Sequence, residues 1–364
     1  YPENFYIRAM KNSTSGGFLF SGRKSKYCID EPLPFKRDSK MPVFDIKEQV
    51  MEIIDSYKRD EMGHTYVGAQ LKDEPREHSK CVSAKTRVFA MSGYDSTLVN
   101  RMYLMPFYSL MCEHRDAFCT KVGINMFSPE GGLLVDKLLE FSPNIMEGDY
   151  GGYDTSMPIG VGLMANSIVY NILEKWNYNK EALRIVRGIL SDNLYPTVVM
   201  DSNIFIAPGF QPSGKYATAE DNSLRGLILL YYAYTIMCTP TGKGNFYNKT
   251  TLFKESDFFK YLLPVTYGDD MLCAVKDEIS EYFNNITYSE IIVGIFGMEF
   301  TTADKHVHTS KFSNPENLTF LKRSFRFSKI LNRKVAVLDK DSMVKSLTYV
   351  LPSSEVSKET QIAE

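Results

Sequence analysis

Two apolar runs, Leu262 to Thr266 and Met271 to Val275, flank the tetrapeptide Tyr267-Gly268-Asp269-Asp270. Short apolar runs around a glycine-containing turn predict a β-hairpin that presents two adjacent carboxylates. Like charges held side by side at a tight turn are costly unless a cation neutralises them, and hard divalent metals take oxygen ligands. Four such residues alone would equally describe a solvated loop, so their context decides.

The chain has 364 residues, 44% of them hydrophobic, enough to bury the core of two domains or of one large elaborated one. The longest apolar candidate for a membrane span, Gly226 to Met237, is short and carries three tyrosines, so it reads as a buried helix. The chain begins at Tyr1 rather than Met, shows no signal-peptide pattern, and is read as a piece of a longer polypeptide. Six cysteines (28, 81, 112, 119, 238 and 273) form no C-x-x-C pair or regular spacing, which signals neither a disulfide framework nor a structural zinc and fits a reducing compartment. His306 and His308 form an H-x-H without such a cysteine pair, and zinc is not expected there. The sequons at Asn12, Asn248, Asn285 and Asn317 are read as chance.

A net charge of −2 argues against non-specific coating of nucleic acid, which requires a basic surface. Local charge differs from the average. Five basic residues (Lys72, Arg76, Lys80, Lys85, Arg87) lie between 72 and 87, and six fall between Phe320 and Lys334 with no acid among them. Either cluster alone reads as a solvated face; with the acidic turn in the same chain, they read as the lining of a channel for an anionic substrate.

Helix and strand signals alternate without internal repeats, as in a mixed α/β enzyme. Asn144 to Asp149 reads as a strand with Asp149 at its end, Gly151 and Gly152 as a turn, and Pro158 as the start of a helix through Leu173. After the loop Gln211-Pro212-Ser213-Gly214, an apolar helix is expected from about Lys215 to Met237, with Thr218 and Asn222 on one face at i, i+4. A further helix is expected from Ile279 to Met298, ahead of Thr301 to Lys305.

In this order the segments resemble the RNA-dependent RNA polymerases of picornavirus-like positive-strand RNA viruses. Thr14 to Phe18 resembles motif G, and Lys72-Asp73-Glu74 with Lys85-Thr86-Arg87 resembles motif F. Asp149 to Asp154 matches motif A, Pro212-Ser213-Gly214 with Thr218, Asn222 and Ser223 matches motif B, and Tyr267 to Asp270 matches motif C. Thr301 to Lys305 resembles motif D, with Thr302 where the family often has proline, and Phe320 to Arg323 matches motif E.

The resemblance implies an α/β (α+β) right-hand polymerase: fingers over 1–136 with incomplete fingertips, palm over 137–185 and 209–335, a fingers insertion over 186–208, and the start of a truncated thumb over 336–364. It implies template-directed nucleotidyl transfer with two Mg²⁺ ions, Mn²⁺ being a substitute. Asp149, Asp269 and Asp270, with the main-chain carbonyl of Tyr150, would hold the metals. Lys72, Lys80 and Arg87 would meet the triphosphate and base, and Lys305 would protonate the departing pyrophosphate. Asp154, Ser213 and Asn222, with Thr218 beside them, would sense the ribose; Gly214, Lys322 and Arg323 would touch RNA. Asp154 also suits a helix N-cap, and Lys305 an ordinary surface position. The implied partners are an RNA template and primer, nucleoside triphosphates, a protein primer and other viral replication proteins, and the implied location is host cytoplasm at membrane-associated replication complexes. A reverse transcriptase shares the carboxylates but not the Ser/Thr/Asn set, and a non-catalytic RNA-binding relic would be expected to have lost a metal carboxylate.

Overall fold

The computed structural model describes residues 9–31, 39–72, 74, 78–238, 253–302, 305–348, 350 and 357–363. Strands β1 (Cys28–Asp30) and β2 (Lys40–Pro42) form a small antiparallel pair, followed by helix α1 (Phe44–Lys58). Next come β3 (Tyr66–Leu71), the short α2 (His78–Val82), β4 (Val88–Ser92), α3 (Tyr94–Glu113) and α4 (Glu130–Phe141). The middle of the chain forms β5 (Ile145–Gly151), α5 (Tyr153–Ser156), α6 (Ile159–Lys175), α7 (Lys180–Leu194) and the hairpin β6 (Thr197–Met200) and β7 (Asn203–Ile206). Helices α8 (Thr218–Cys238) and α9 (Phe258–Tyr261) precede β8 (Leu262–Tyr267) and β9 (Asp270–Val275), then α10 (Asn285–Phe296) and β10 (Glu299–Thr301). Strands β11 (Thr319–Phe320), β12 (Arg323–Ser328) and β13 (Arg333–Leu338) and helices α11 (Lys340–Thr348) and α12 (Lys358–Ala363) complete the elements.

The central sheet is antiparallel throughout, in the order β10-β5-β9-β8. Its inner strand β9 is buried along Met271 to Val275, which explains a continuous apolar run where a half-exposed strand would alternate. Side chains leave its two faces alternately. Met146, Met271, Cys273 and Val275 join a large core with Leu229, Leu230 and Phe300, whereas Ile145, Leu272 and Ala274 join a second core with Leu134, Leu138 and Phe320. At Gly148 a side chain is excluded, because an added Cβ would meet Cζ of Phe300 at 2.2 Å.

A second sheet, β4-β3-β6-β7, joins residues 66–92 to residues 197–206 through parallel pairing of β3 with β6. It is braced from behind by buried Asp192 of α7, which accepts hydrogen bonds from the Tyr57 hydroxyl (2.9 Å), the Gly63 N–H (3.2 Å) and the Thr65 hydroxyl (3.1 Å).

Three expected elements differ from those observed. Strand β5 runs on to Gly151, so Asp149 is not its last residue; the ladder with β9 stops at Gly148, and from Asp149 onward the partner is β10. The helix expected from Ile279 instead begins at Asn285, because the Asn284 side chain accepts from the N–H groups of Ile286 and Thr287 and sets the start there. Helix α8 begins at Thr218 rather than Lys215, since Ala217 holds a left-handed φ of 59° that a helix cannot continue through. The helix after Pro158 forms as expected and extends to Lys175. Asn285 is buried, so its sequon is closed to modification in the fold. Asn248, Asp73, Ala303 and Asp304 lie outside the described residues.

Candidate active site

Asp269 stands in a two-residue turn. Tyr267 pairs with Asp270 across the hairpin, leaving Gly268 and Asp269 to make the reversal, and Gly268 takes a φ of 63° that costs glycine nothing. The turn is tethered from α8, whose Ser223 hydroxyl accepts the Gly268 N–H at 2.8 Å. Asp270, expected in the turn, is the first residue of β9.

The neighbouring strand brings Asp149 to this turn. Burial pushes the Asp269 carboxyl above the usual carboxylate range, with repulsion from Asp149 added, while the Arg87 and Lys305 charges pull the other way. Asp270 is pushed up to about 7, first by burial and then by the charges of Asp269 and Asp149. Its counterweights are the Lys322 charge and a hydrogen bond from the Leu321 N–H. The hairpin turn Leu321-Lys322, between β11 and β12, therefore abuts the third carboxylate. Both of its residues adopt positive φ (53° and 56°), a conformation that non-glycine residues hold only where their surroundings enforce it. Arg323 lies 4.8 Å over the Phe127 ring.

Lys305 reaches back from beyond β10 to form an ion pair with Asp149. Among the described residues no three His, Cys, Asp or Glu side chains close into a metal cage. The donor set nonetheless fits a hard divalent cation. Its three carboxylates repel one another in a partly desolvated site, and an ammonium already rests on one of them. Tyr150 buries its ring, its hydroxyl lying 2.6 Å from that of Tyr288.

Asp154 sits in the short helix α5. Burial raises its pKa, opposed by a hydrogen bond from Asn222 Nδ2 to its Oδ1 (3.3 Å) and by the charges of Arg225 and Arg87. Tyr153 fixes the same segment to α8 by donating to the Asn222 carbonyl at 2.8 Å. Asn222 Oδ1 is buried with no hydrogen-bond partner among the described residues. Such an orphan acceptor is costly unless a ligand donor satisfies it.

The loop before α8 leans on β4. Gly214 donates to the Ala90 carbonyl at 2.7 Å, and the Ala90 N–H points at the Ser213 hydroxyl at 3.4 Å. A Cβ at Gly214 would meet the Ala90 carbonyl oxygen at 2.6 Å, so only glycine permits this approach. The Thr218 hydroxyl is turned back to the Pro212 and Lys215 carbonyls (2.9 and 3.0 Å), bracing the loop. On the other side, Glu74 pairs with both Lys72 (3.0 Å) and Arg87 (3.4 Å), and the Lys72 N–H donates to the Arg87 carbonyl at 2.9 Å. Lys80 stands on α2 at the exposed rim.

The site thus gathers Asp149, Asp154, Asn222, Asp269, Asp270 and Lys305, with the Arg87 charge acting on both Asp154 and Asp269. Glu74, Tyr153 and the charged group Lys215, Asp221 and Arg225 were given no role in the reading of the sequence. Asp221 and Arg225, an i, i+4 pair of opposite charge just ahead of the apolar run of α8, were the signal available for the last of these.

The chain is similar to known proteins in sequence and in fold. The chain is 24% identical over 360 residues to the replicase polyprotein of Drosophila C virus, covering 94% of the chain and 20% of that protein. It is 26% identical over 362 residues to the replicase polyprotein of acute bee paralysis virus (98% and 18%), and 28% identical over 284 residues to the RNA1 polyprotein of Satsuma dwarf virus (77% and 13%). The chain therefore spans about a fifth or less of these relatives. In fold it matches the Sicinivirus 3Dpol RNA dependent RNA polymerase with a TM-score of 0.76 at 17% identity, over 94% of this chain and 66% of that one. The family model of the viral RNA-dependent RNA polymerase matches residues 5–364, and the chain belongs to that family.

Proposed function

We propose that this chain performs template-directed addition of ribonucleotides to an RNA 3′ end, in replicating the genome of a positive-strand picorna-like virus. The observation that carries this reading is the convergence of the Asp269–Asp270 hairpin on Asp149, opposite the Asp154–Asn222 pair. In the reaction the primer 3′-oxygen bonds to the α-phosphorus, the bond to the bridging oxygen breaks, and the electron pair leaves with pyrophosphate. Two divalent cations, Mg²⁺ or in its place Mn²⁺, would neutralise the attacking and leaving oxygens when bound. Asp149, Asp269 and Asp270, with the Tyr150 carbonyl, would hold them.

The chain's own groups do the rest. Lys72, Lys80 and Arg87 supply countercharge to the incoming triphosphate, Glu74 keeping Lys72 and Arg87 together on the fingers side. Lys305, which pairs with Asp149, would give a proton to the departing pyrophosphate. Asn222 Oδ1, lacking a donor, would accept from the ribose 2′-hydroxyl, with Asp154 and Ser213 completing the pocket. Gly214, Lys322 and Arg323 would grip the RNA backbone without reading bases. This ribose reading favours RNA synthesis over reverse transcription. The fingers, palm and thumb boundaries given above belong to the same proposal, as do a protein primer, viral replication partners and membrane-associated replication complexes in host cytoplasm. No helix among the described residues is long and apolar enough to cross a membrane.

The test is extension of an annealed RNA primer on an RNA template with nucleoside triphosphates and Mg²⁺, with Asp269→Ala beside the parent. Extension by the parent alone is expected, with both proteins giving the same circular dichroism. Substantial activity in a folded Asp269→Ala protein would sink the carboxylate assignment, and extension with deoxynucleotides preferred would favour a reverse transcriptase.

A further inference from the structure

Behind the Asp154–Asn222 pair lies a group of buried charges that the reaction above does not use. Lys215 Nζ sits 3.0 Å from Asp221 Oδ2 and donates to Gln211 Oε1 at 3.0 Å. Gln211 Nε2 donates to the same Asp221 oxygen at 2.6 Å, and Arg225 Nη2 approaches it at 3.2 Å. The charged side chains are 5% or less exposed, and Gln211 is fully buried. Two cations against one carboxylate leave a positive excess in the interior. Apolar side chains of similar size would rigidify the loop at lower cost, so such a group calls for another purpose.

Its connections lead to the sugar-facing pair. The Gln211 N–H donates to the Asp154 carbonyl at 2.9 Å. Asp221 immediately precedes Asn222 on α8, and Arg225 Nη1 points at the Gly209 carbonyl (3.4 Å), at the loop's base. Asp154 is the next anion within reach: its charge acts on Lys215, and the Arg225 charge acts on it.

We propose that Lys215, acting with Gln211, Asp221 and Arg225, is a positioning residue for sugar selection. It holds the Asp154 backbone and Asn222 at hydrogen-bonding separation and keeps positive charge behind the Asp154 carboxylate. This inference rests on the ribose reading above.

The experiment measures kcat/KM for single-nucleotide addition with an NTP and the matching dNTP, using the polymerase polypeptide that contains this chain. The parent, Lys215→Met, Lys215→Arg and Asn222→Ala are compared. Lys215→Met keeps length and loses charge; it is expected to lower the NTP:dNTP ratio about tenfold or more, as loosening a polar pocket does. Lys215→Arg is expected to keep most of the ratio. Because the ratio comes from one preparation, partial unfolding does not move it. An unchanged ratio in Lys215→Met, with a lowered ratio in Asn222→Ala, overturns this inference and leaves the ribose reading standing. An unchanged ratio in Asn222→Ala overturns both. Equal losses in Lys215→Met and Lys215→Arg overturn the charge role. If Lys215→Met yields no folded protein, Gln211→Leu cuts the same link from its neutral side and is judged by the same ratio.

Discussion

Replacing Asp270 by Asn should make the metal-free protein more stable at alkaline pH. Burial and two neighbouring carboxylates move the Asp270 carboxyl from the ordinary 3.8 to about 7. At about 1.4 kcal/mol per tenfold change, that displacement corresponds to roughly 4 kcal/mol. Solvent still reaches part of the side chain and the repulsion is shared with Asp269 and Asp149, which reduces the expected gain to about 2 kcal/mol. The direction follows from linkage. Below about pH 4 the carboxyl is neutral in both folded and unfolded chains and imposes no penalty. As pH rises towards 7 the unfolded chain ionises while the folded protein retains its proton, so stability falls, and above 7 the whole penalty applies. Asn keeps an oxygen to accept the Leu321 N–H and never ionises. Denaturant unfolding of parent and Asp270→Asn, both with chelator, should show a gap of about 2 kcal/mol at pH 8 that narrows as pH falls and closes below about pH 4. Saturating Mg²⁺ at pH 8 should close it too, by stabilising the parent. A gap that does not change with pH, or a less stable Asp270→Asn protein at pH 8, would refute the claim that carboxylate repulsion destabilises this site.

Other perturbations give distinct readouts. Gly148→Ala drives a methyl into the Phe300 ring and should cost about 1–3 kcal/mol in denaturant unfolding while slowing extension by displacing Asp149; unchanged stability would contradict the packing described. Asp192→Ala strands three donors and should cost about 3 kcal/mol or more, yet leave the NTP:dNTP ratio of the surviving enzyme at the parent's value. Lys305→Leu should slow single-nucleotide addition by ~10²–10⁴ with RNA affinity unchanged, and a loss confined to binding would remove Lys305 from the proton-transfer role.

What the sequence disclosed follows from the range over which each feature is determined. The hairpin at 267–270 was legible because turn chemistry and strand pattern are local: Gly268 needs its positive φ, and the flanking runs need burial. The start of α6 at Pro158 was legible for the same reason. The start of α10 was misplaced because Ile279, Tyr282 and Phe283 are apolar and continue the expected helical run, while the Asn284 side chain decides where hydrogen bonding begins. Asp149 was placed at a strand end because its partner in β10, Thr301, lies 152 residues further along the chain. Lys215, Asp221 and Arg225 look individually like surface charges, and only the packing of α6, α8 and the 209–217 loop reveals that they face inward. Asp269 and Asp270 were legible from the hairpin itself, the roles of Asp149 and Asp154 came from motif resemblance, and the orphaned Asn222 oxygen is visible only in three dimensions.

The Gly214 to Ala90 bond has a mechanical corollary. Strand β4 begins one residue after Arg87, and its middle is stitched to the loop that leads into α8. A shear of that loop cannot occur without either breaking a 2.7 Å hydrogen bond or dragging β4, and with it the guanidinium at the mouth of the site. The loop at 214 and the Arg87 guanidinium therefore move as one body, with the side-chain-free residue at 214 as its pivot.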